Sequence, residues 1–320
     1  NAAAWWNPET PSDAAIEVPG LFVVGLFDPF MRGVGVEATR QLVADARKRG
    51  ARWSFVAEEK GHEDGATWQL FTRFWDRAID LRLPPGADPR QGPVALRTIP
   101  EEEGWLADTE SWDDGLTRVA PFAEYEGDRA AASWLPDADT AFLYRSVATY
   151  DNPLVLGSRD LSRAFNPDTD YRSRLVGVAD PPVAPGTIVH LECDASGFPD
   201  WERLEFYDGA ELLGTVEADL DPVLPITVEG GKRVYNVTVL GHGAEGMVRA
   251  STPLYFYVED PDAFLGKPAA TDPYVPEPAR GSLTSTEAPL GADPKDHVLV
   301  AYGLRAEQEK QFDAGDGRVS

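Results

Sequence analysis

Two residues with acid–base chemistry, Asp28 and His62, each follow an apolar segment that is predicted to be a β-strand. Asp28 ends the run from Leu21 to Phe27, and His62 comes a few residues after the run from Trp53 to Ala57. A carboxylate and an imidazole are typical groups of general acid–base catalysis. Their separation (62 − 28 = 34 residues) accommodates one helix and one strand. We therefore expect two neighbouring parallel strands to bring Asp28 and His62 within hydrogen-bonding distance.

Two amphipathic helices are predicted to flank the second strand. Apolar residues recur at helical spacing from Val36 to Arg49, before a stop at Gly50, and from Ala66 to Arg82, before Pro84 and Pro85. The strand–helix–strand unit predicts parallel pairing with a right-handed crossover. Two parallel strands leave one sheet edge open and need further strands, and no other segment repeats this alternation.

This order of elements resembles the last third of an α/β-hydrolase. In that family the acid of a catalytic triad follows one strand and the histidine follows the next. The resemblance implies that His62 acts as general base and then as general acid, while Asp28 orients the imidazole and stabilises its charged form. The neighbouring carboxylates Glu58, Glu59, Glu63 and Asp64 are expected to face solvent.

The nucleophile of such a triad should precede the acid. Only 27 residues precede Asp28, and no serine of the chain lies in a Gly-x-Ser-x-Gly elbow, Ser158 and Ser196 included. Cys193 is interpreted as a small buried strand residue. Two hypotheses remain: the nucleophile lies on an N-terminal half or a separate companion chain, or the chain is a non-catalytic relative. The open sheet edge favours the first.

No cofactor or metal site is predicted. Asp168 and Asp170 alternate as in a calcium loop, but the glycine and the distal glutamate of such a loop are absent. Asp313 and Asp316 form a weaker pair of the same kind. His190, His242 and His297 lie in separate segments, which argues against a zinc cluster, and no phosphate-binding glycine pattern occurs.

Residues 178–259 resemble an immunoglobulin-like β-sandwich. Strand-like segments alternate with turn signals such as Asp-Gly, Gly-Gly and Gly-His-Gly. Tyr235 precedes Val237 by two residues, the spacing of a tyrosine corner, and Cys193 lies where a B-strand cysteine would.

The predicted fold class is therefore α/β, a partial α/β-hydrolase sheet, plus an all-β sandwich. Residues 1–84 are assigned to the C-terminal part of the hydrolase core, and residues 85–177 to an extension that packs on it, with a helix capped by Asp137. Residues 260–320 are assigned to a Pro/Gly/Asp-rich tail with one strand.

Composition restricts the partners of the chain. The 320 residues include 54 acidic and 29 basic side chains, and the net charge of −25 opposes nucleic-acid binding. No apolar run reaches the ~18 residues of a membrane span. The single cysteine excludes an intrachain disulfide. The start at Asn1 suggests a processed terminus and, with the sandwich, an extracellular or periplasmic protein.

The favoured hypothesis is a segment or subunit of an esterase-like serine hydrolase that supplies the base His62 and the orienting Asp28. Its expected partners are the N-terminal half or companion chain and an ester-type substrate or polymer. The alternative is a non-catalytic binding or structural protein, in which the sandwich serves adhesion on a degenerate hydrolase scaffold.

Overall fold

A computed structural model describes most of the first 259 residues in seven stretches: 11–26, 34–58, 67–109, 116–149, 152–161, 182–232 and 234–259. These stretches belong to one compact unit, Asn1–Leu265, and the second unit, Gly266–Ser320, lies outside them. No helix within the described stretches combines the length and the apolar character needed to cross a bilayer.

Helices precede and flank the parallel strands, and the sandwich follows. The helices are α1 Asp13–Ile16, α2 Val34–Lys48, α3 Thr67–Arg82 and α4 Ala138–Ala148. The first strands are β1 Gly20–Gly25, β2 Trp53–Glu58, β3 Trp105–Ala107, β4 Val119–Pro121 and β5 Ser133–Leu135. The sandwich strands are β6 Val155–Ser158, β7 Ile188–Asp194, β8 Trp201–Asp208, β9 Glu211–Glu217, β10 Val223–Thr227, β11 Val234–Gly243, β12 Val248–Ala250 and β13 Leu254–Tyr257.

The strands β1 and β2 form a parallel pair, in register from Gly20 opposite Trp53 to Gly25 opposite Glu58. Helix α2 covers one face of the pair and α3 covers the other, each through its own apolar core. Helix α2 ends before Gly50, whose φ of +86° is a conformation that favours glycine. The predicted strand–helix–strand–helix order and its parallel pairing are confirmed.

A small antiparallel sheet lies beside β2, with strand order β4-β3-β5. It shares one apolar core with β2, α3 and α4, and the core includes Val56, Phe74, Leu106, Trp134 and Tyr144. The sequence analysis did not predict these three-residue strands, because so short a segment shows no hydrophobic periodicity.

Helix α4 begins as predicted. The side chain of Asp137 accepts hydrogen bonds from the backbone amide and the hydroxyl of Thr140, at 2.8 and 2.7 Å. This is the geometry of an N-cap, which satisfies one of the free amides of the first turn.

Side-chain hydroxyls bond the backbone of β2 at Phe55, on the edge that faces away from β1. The amide of Leu26 donates to the carbonyl of Glu58 (2.9 Å). Alternate residues of a strand bond the neighbouring parallel strand, so Glu58 faces β1 and the backbone groups of Phe55, three residues earlier, point away from it. The Ser133 hydroxyl accepts from the Phe55 amide (2.9 Å) and lies 2.9 Å from its carbonyl. The Tyr144 hydroxyl donates to the same carbonyl (2.5 Å). The backbone of Phe55 is thus satisfied without a further strand.

The second half of the described chain is a β-sandwich, as predicted. One sheet has the order β10-β7-β6, the other has the order β12-β11-β8-β9 with β13 also paired to β11, and all these pairs are antiparallel. Strand β6 pairs with β7 although it precedes residue 178, where the sequence analysis began the sandwich. A four-residue strand next to an unpatterned segment gave too weak a signal to be recognised.

Two single residues of the sandwich behave as predicted. The hydroxyl of Tyr235 accepts a hydrogen bond from the backbone amide of Glu229, six residues upstream (2.9 Å), which is the contact of a tyrosine corner. Cys193 is fully buried in β7.

Charged groups join the sandwich to α3 and α4. Arg73 of α3 contacts Asp139 of α4 (3.4 Å) and Asp208 of β8 (3.5 Å). Asp139 also accepts a hydrogen bond from the backbone amide of Ala210 in the β8–β9 turn (3.0 Å). Gly209 in that turn has a φ of +58°, and a Cβ there would lie 2.6 Å from the Asp139 carboxylate. Only a glycine at position 209 therefore allows the turn to pack this closely against α4.

Candidate functional site

The carboxyl ends of β1 and β2 form the candidate site. The two strands end opposite each other at Gly25 and Glu58, and ligands of open α/β sheets bind at this kind of edge. Asp28 follows Gly25 by three positions and His62 follows Glu58 by four. Asp28 and His62 lie outside the described residues, so their hydrogen bond stays a prediction.

The expectation that Glu58 faces solvent is wrong. The residue is only 6% exposed, whereas it was expected to face solvent. All six residues of β2 are buried, as in a strand that is covered on both faces. Glu58 pairs in register with Gly25, the last residue of β1, which keeps it within the strand. Glu59, Glu63 and Asp64 lie outside the described residues.

The free edge of β1 borders the same site. Because the even-numbered residues form the ladder with β2, Leu21, Val23 and Gly25 direct their backbone amides and carbonyls away from it. Among the described residues, β1 pairs with β2 alone. Five of the six residues of β1 are partly exposed, in contrast to the fully buried β2. Ser133 and Tyr144 thus satisfy the outward backbone of β2 at Phe55, whereas no described strand pairs with the outer edge of β1.

Two histidine–carboxylate pairs lie in the sandwich. His190 Nδ1 lies 2.9 Å from Asp160, and the backbone amide of His190 is the main reason that the pKa of Asp160 is lowered. His242 Nε2 lies 2.9 Å from Glu205. In each pair, the histidine lies on a strand and its carboxylate partner lies on the neighbouring strand of the same sheet or on the turn that follows it.

The described candidate nucleophiles, Cys193 and Ser158, lie in settings that do not activate them. Burial raises the pKa of the Cys193 thiol to about 12, so it remains protonated at neutral pH. Ser158 accepts a hydrogen bond from the backbone amide of Asp160 (3.2 Å) in a turn. In the described part of the chain, no group of three His, Cys, Asp or Glu side chains is arranged to hold a metal ion. The two aspartate pairs noted in the sequence and His297 lie outside that part.

Comparison with known proteins gives few matches. No protein-family model matches the chain, and no curated protein does. Among solved structures, the Clostridium thermocellum CbhA fibronectin(III)-like modules share 16% identity over 32% of this chain and 94% of theirs, with a TM-score of 0.23. A Cellulomonas fimi endo-beta-1,4-mannanase double mutant shares 18% identity over 76% of this chain and 49% of its own, with a TM-score of 0.13. The α/β-hydrolase assignment stays a prediction.

Proposed function

We propose that this chain supplies the acid and the base of an esterase-like serine hydrolase. Further strands pair along β1 and carry the nucleophilic serine and the oxyanion hole. They belong to an N-terminal half of the same protein or to a companion chain. His62 is the general base and Asp28 the residue that orients it, in the manner of an α/β-hydrolase.

The unequal edges of the parallel sheet are the observation that supports this proposal. Ser133 and Tyr144 satisfy the outward backbone of β2 at Phe55, which disfavours the addition of a strand on that side. The outward backbone groups of β1 have no strand beside them in the described chain, and five of its six residues are partly exposed. Parallel sheets are stable when both faces are covered and their strands are paired. Growth beyond β1 is therefore the direction in which this sheet can be completed.

The proposed chemistry is acyl transfer. His62 takes the proton of the serine hydroxyl while the serine oxygen bonds to the ester carbonyl carbon. The imidazolium then gives this proton to the alcohol as the ester C–O bond breaks, and water repeats the sequence to release the acid. An ester is the commonest substrate of such enzymes. The net charge of −25 disfavours polyanionic substrates.

We further propose that the protein is exported and meets a polymer or a cell surface. The support is the immunoglobulin-like sandwich, since this architecture is frequent in cell-surface and extracellular domains.

Fluorophosphonate labelling of the native preparation tests the catalytic proposal. We expect a serine of the completing polypeptide to be labelled in complex with this chain. The variants H62Q and D28N should slow labelling and ester hydrolysis, with about 10⁴-fold lost when the acid becomes an amide. The matched controls H190Q and D160N remove a second His–Asp pair of known geometry, and they should leave the rate unchanged.

Two outcomes would contradict the proposal. Labelling that is insensitive to H62Q and D28N would exclude their roles. Absence of labelling although the companion polypeptide is present would favour the alternative, a binding or structural protein built on a hydrolase-like scaffold.

A further inference from the structure

We infer that Arg145 binds a small monovalent anion of the halide class, such as chloride or bromide, at the junction between helix α4 and the sandwich. The anion serves as a structural counter-ion that stabilises this junction. The inference is independent of the proposed function, because it concerns ion binding by this chain alone and involves neither Asp28 nor His62.

An unpartnered guanidinium is the observation that carries the inference. Arg145 belongs to the last turn of α4 and is only 9% exposed. Its Nε and Nη2 are both buried, and neither has a hydrogen-bond partner among the described residues. These two nitrogens lie on one edge of the guanidinium plane, the edge that binds an anion through two parallel hydrogen bonds. A buried cation is strongly disfavoured without a counter-ion, and burial lowers the pKa of Arg145 to about 10.

One face of this guanidinium is covered by an aromatic ring. The Cζ atom of Arg145 lies 4.2 Å from the ring centroid of Phe142, one turn earlier in α4. The Phe142 ring in turn contacts Tyr207 of β8, with ring centroids 5.4 Å apart. Stacking of this kind covers the face of the cation and leaves the N–H groups on its edge for hydrogen bonds. Arg145 is thus held at the side of β8 that packs against α4.

Glu205, the carboxylate whose charge acts on Arg145, already has three other partners. Its oxygens accept from the Tyr207 hydroxyl (2.7 Å) and lie 2.9 Å from His242 Nε2 and 3.0 Å from Arg203 Nη2. Arg203 Nε is also buried without a partner in the described part of the chain. Two guanidinium groups therefore face one carboxylate. This local excess of positive charge favours an anion, although the whole protein is acidic.

A hydroxyl on the neighbouring strand supplies a further donor at the same junction. Thr238 of β11 lies directly opposite Tyr207 in the ladder, so the two side chains share one face of the sheet. Thr238 is 1% exposed, and its Oγ1 has no hydrogen-bond partner among the described residues, whereas buried hydroxyls are normally bonded. A water molecule accepts the same hydrogen bonds but leaves the charge of Arg145 uncompensated. A halide ion does both, and it is small enough for a buried junction.

Urea unfolding of the full chain at constant ionic strength tests the inference, with bromide replacing fluoride, which is more strongly hydrated. An ion that binds only the folded protein raises the folding constant about tenfold when its concentration reaches ten times Kd. At high bromide, the logarithm of the folding constant should rise with the logarithm of bromide concentration, with a slope larger by about one ion in the wild type than in R145M. In fluoride alone, R145M should be no less stable than the wild type.

Two further variants and a crystal complete the design. R249M removes a partly exposed arginine from β12 of the same sheet and should keep the wild-type slope. T238V removes the hydroxyl but keeps the shape of the side chain, so it should weaken bromide binding about two- to tenfold. Bromide-soaked wild-type crystals should show an anomalous peak at the Nε–Nη2 edge of Arg145, a readout that does not depend on the folding of any variant.

Three results would overturn the inference. The first is an equal bromide slope in the wild type and R145M. The second is a slope that R249M lowers as much as R145M, since this indicates general screening of charge. The third is a water molecule and no bromide at the Nε–Nη2 edge in the crystal. Fluorophosphonate labelling has no bearing on any of them, so this inference and the proposed function stand or fail separately.

Discussion

Replacement of Ser133 tests whether hydroxyls rather than a strand close the β2 edge. The side chain is fully buried and contacts both the amide and the carbonyl of Phe55 at 2.9 Å. In S133A the Phe55 amide loses its acceptor, and a buried amide without a partner costs about 1–3 kcal/mol. The carbonyl of Phe55 retains the Tyr144 hydroxyl. We therefore expect S133A to lower the free energy of unfolding by about 2 kcal/mol.

The second half of a double-mutant cycle is Y144F. This change removes one of two donors to the Phe55 carbonyl and should cost about 1 kcal/mol. In the double variant neither hydroxyl remains to bond the outward amide and carbonyl of Phe55. The loss should then exceed the sum of the single losses by about 1 kcal/mol, because the two side chains share one acceptor.

Urea unfolding, followed by tryptophan fluorescence, measures these losses, and hydrogen exchange measures the protection of the Phe55 amide. S158A is the control, since its hydroxyl makes comparable hydrogen bonds to backbone amides at an exposed turn; we expect a change within about 0.5 kcal/mol. If S133A is equally mild and the Phe55 amide stays protected, another group satisfies this edge and the argument for one-sided growth of the sheet fails.

Three further changes have defined outcomes. Burial lowers the pKa of Arg145 to about 10, and its Nε and Nη2 have no partner among the described residues, so R145M should leave stability unchanged in urea unfolding or raise it by ~1–3 kcal/mol. Y235F removes the tyrosine-corner hydrogen bond from Glu229 and should cost about 1 kcal/mol by the same assay; a neutral effect would contradict its role. Because burial raises the pKa of Cys193 to about 12, iodoacetamide should react slowly with the folded protein at pH 8 and rapidly in denaturant. Between pH 9 and 12 the unfolded thiol ionises first, so Cys193 should make the protein less stable as the pH rises.

Long segments with a helical hydrophobic period were predictable from the sequence, and so were helix ends that carry a capping residue or a glycine. The α2 and α4 boundaries follow from the stop at Gly50 and the cap at Asp137, both local signals. The short strands β3, β4 and β5 were not predictable, because three residues carry no period and their pairing is non-local. The burial of Glu58 depends on both cover of β2 and its register with β1, which a single sequence does not specify.

The contact of Asp139 with the β8–β9 turn limits which modules can replace the sandwich in a chimeric protein. A chimera that replaces the sandwich with another module would have to reproduce a glycine at position 209, a free amide at position 210 and a carboxylate at position 208 to receive Asp139 and Arg73. A module that is joined only through a flexible linker supplies none of these three groups. Exchange of the sandwich alone should therefore yield a chimera with an unmatched surface on α3 and α4, while exchange of the two helices with the sandwich preserves the fit.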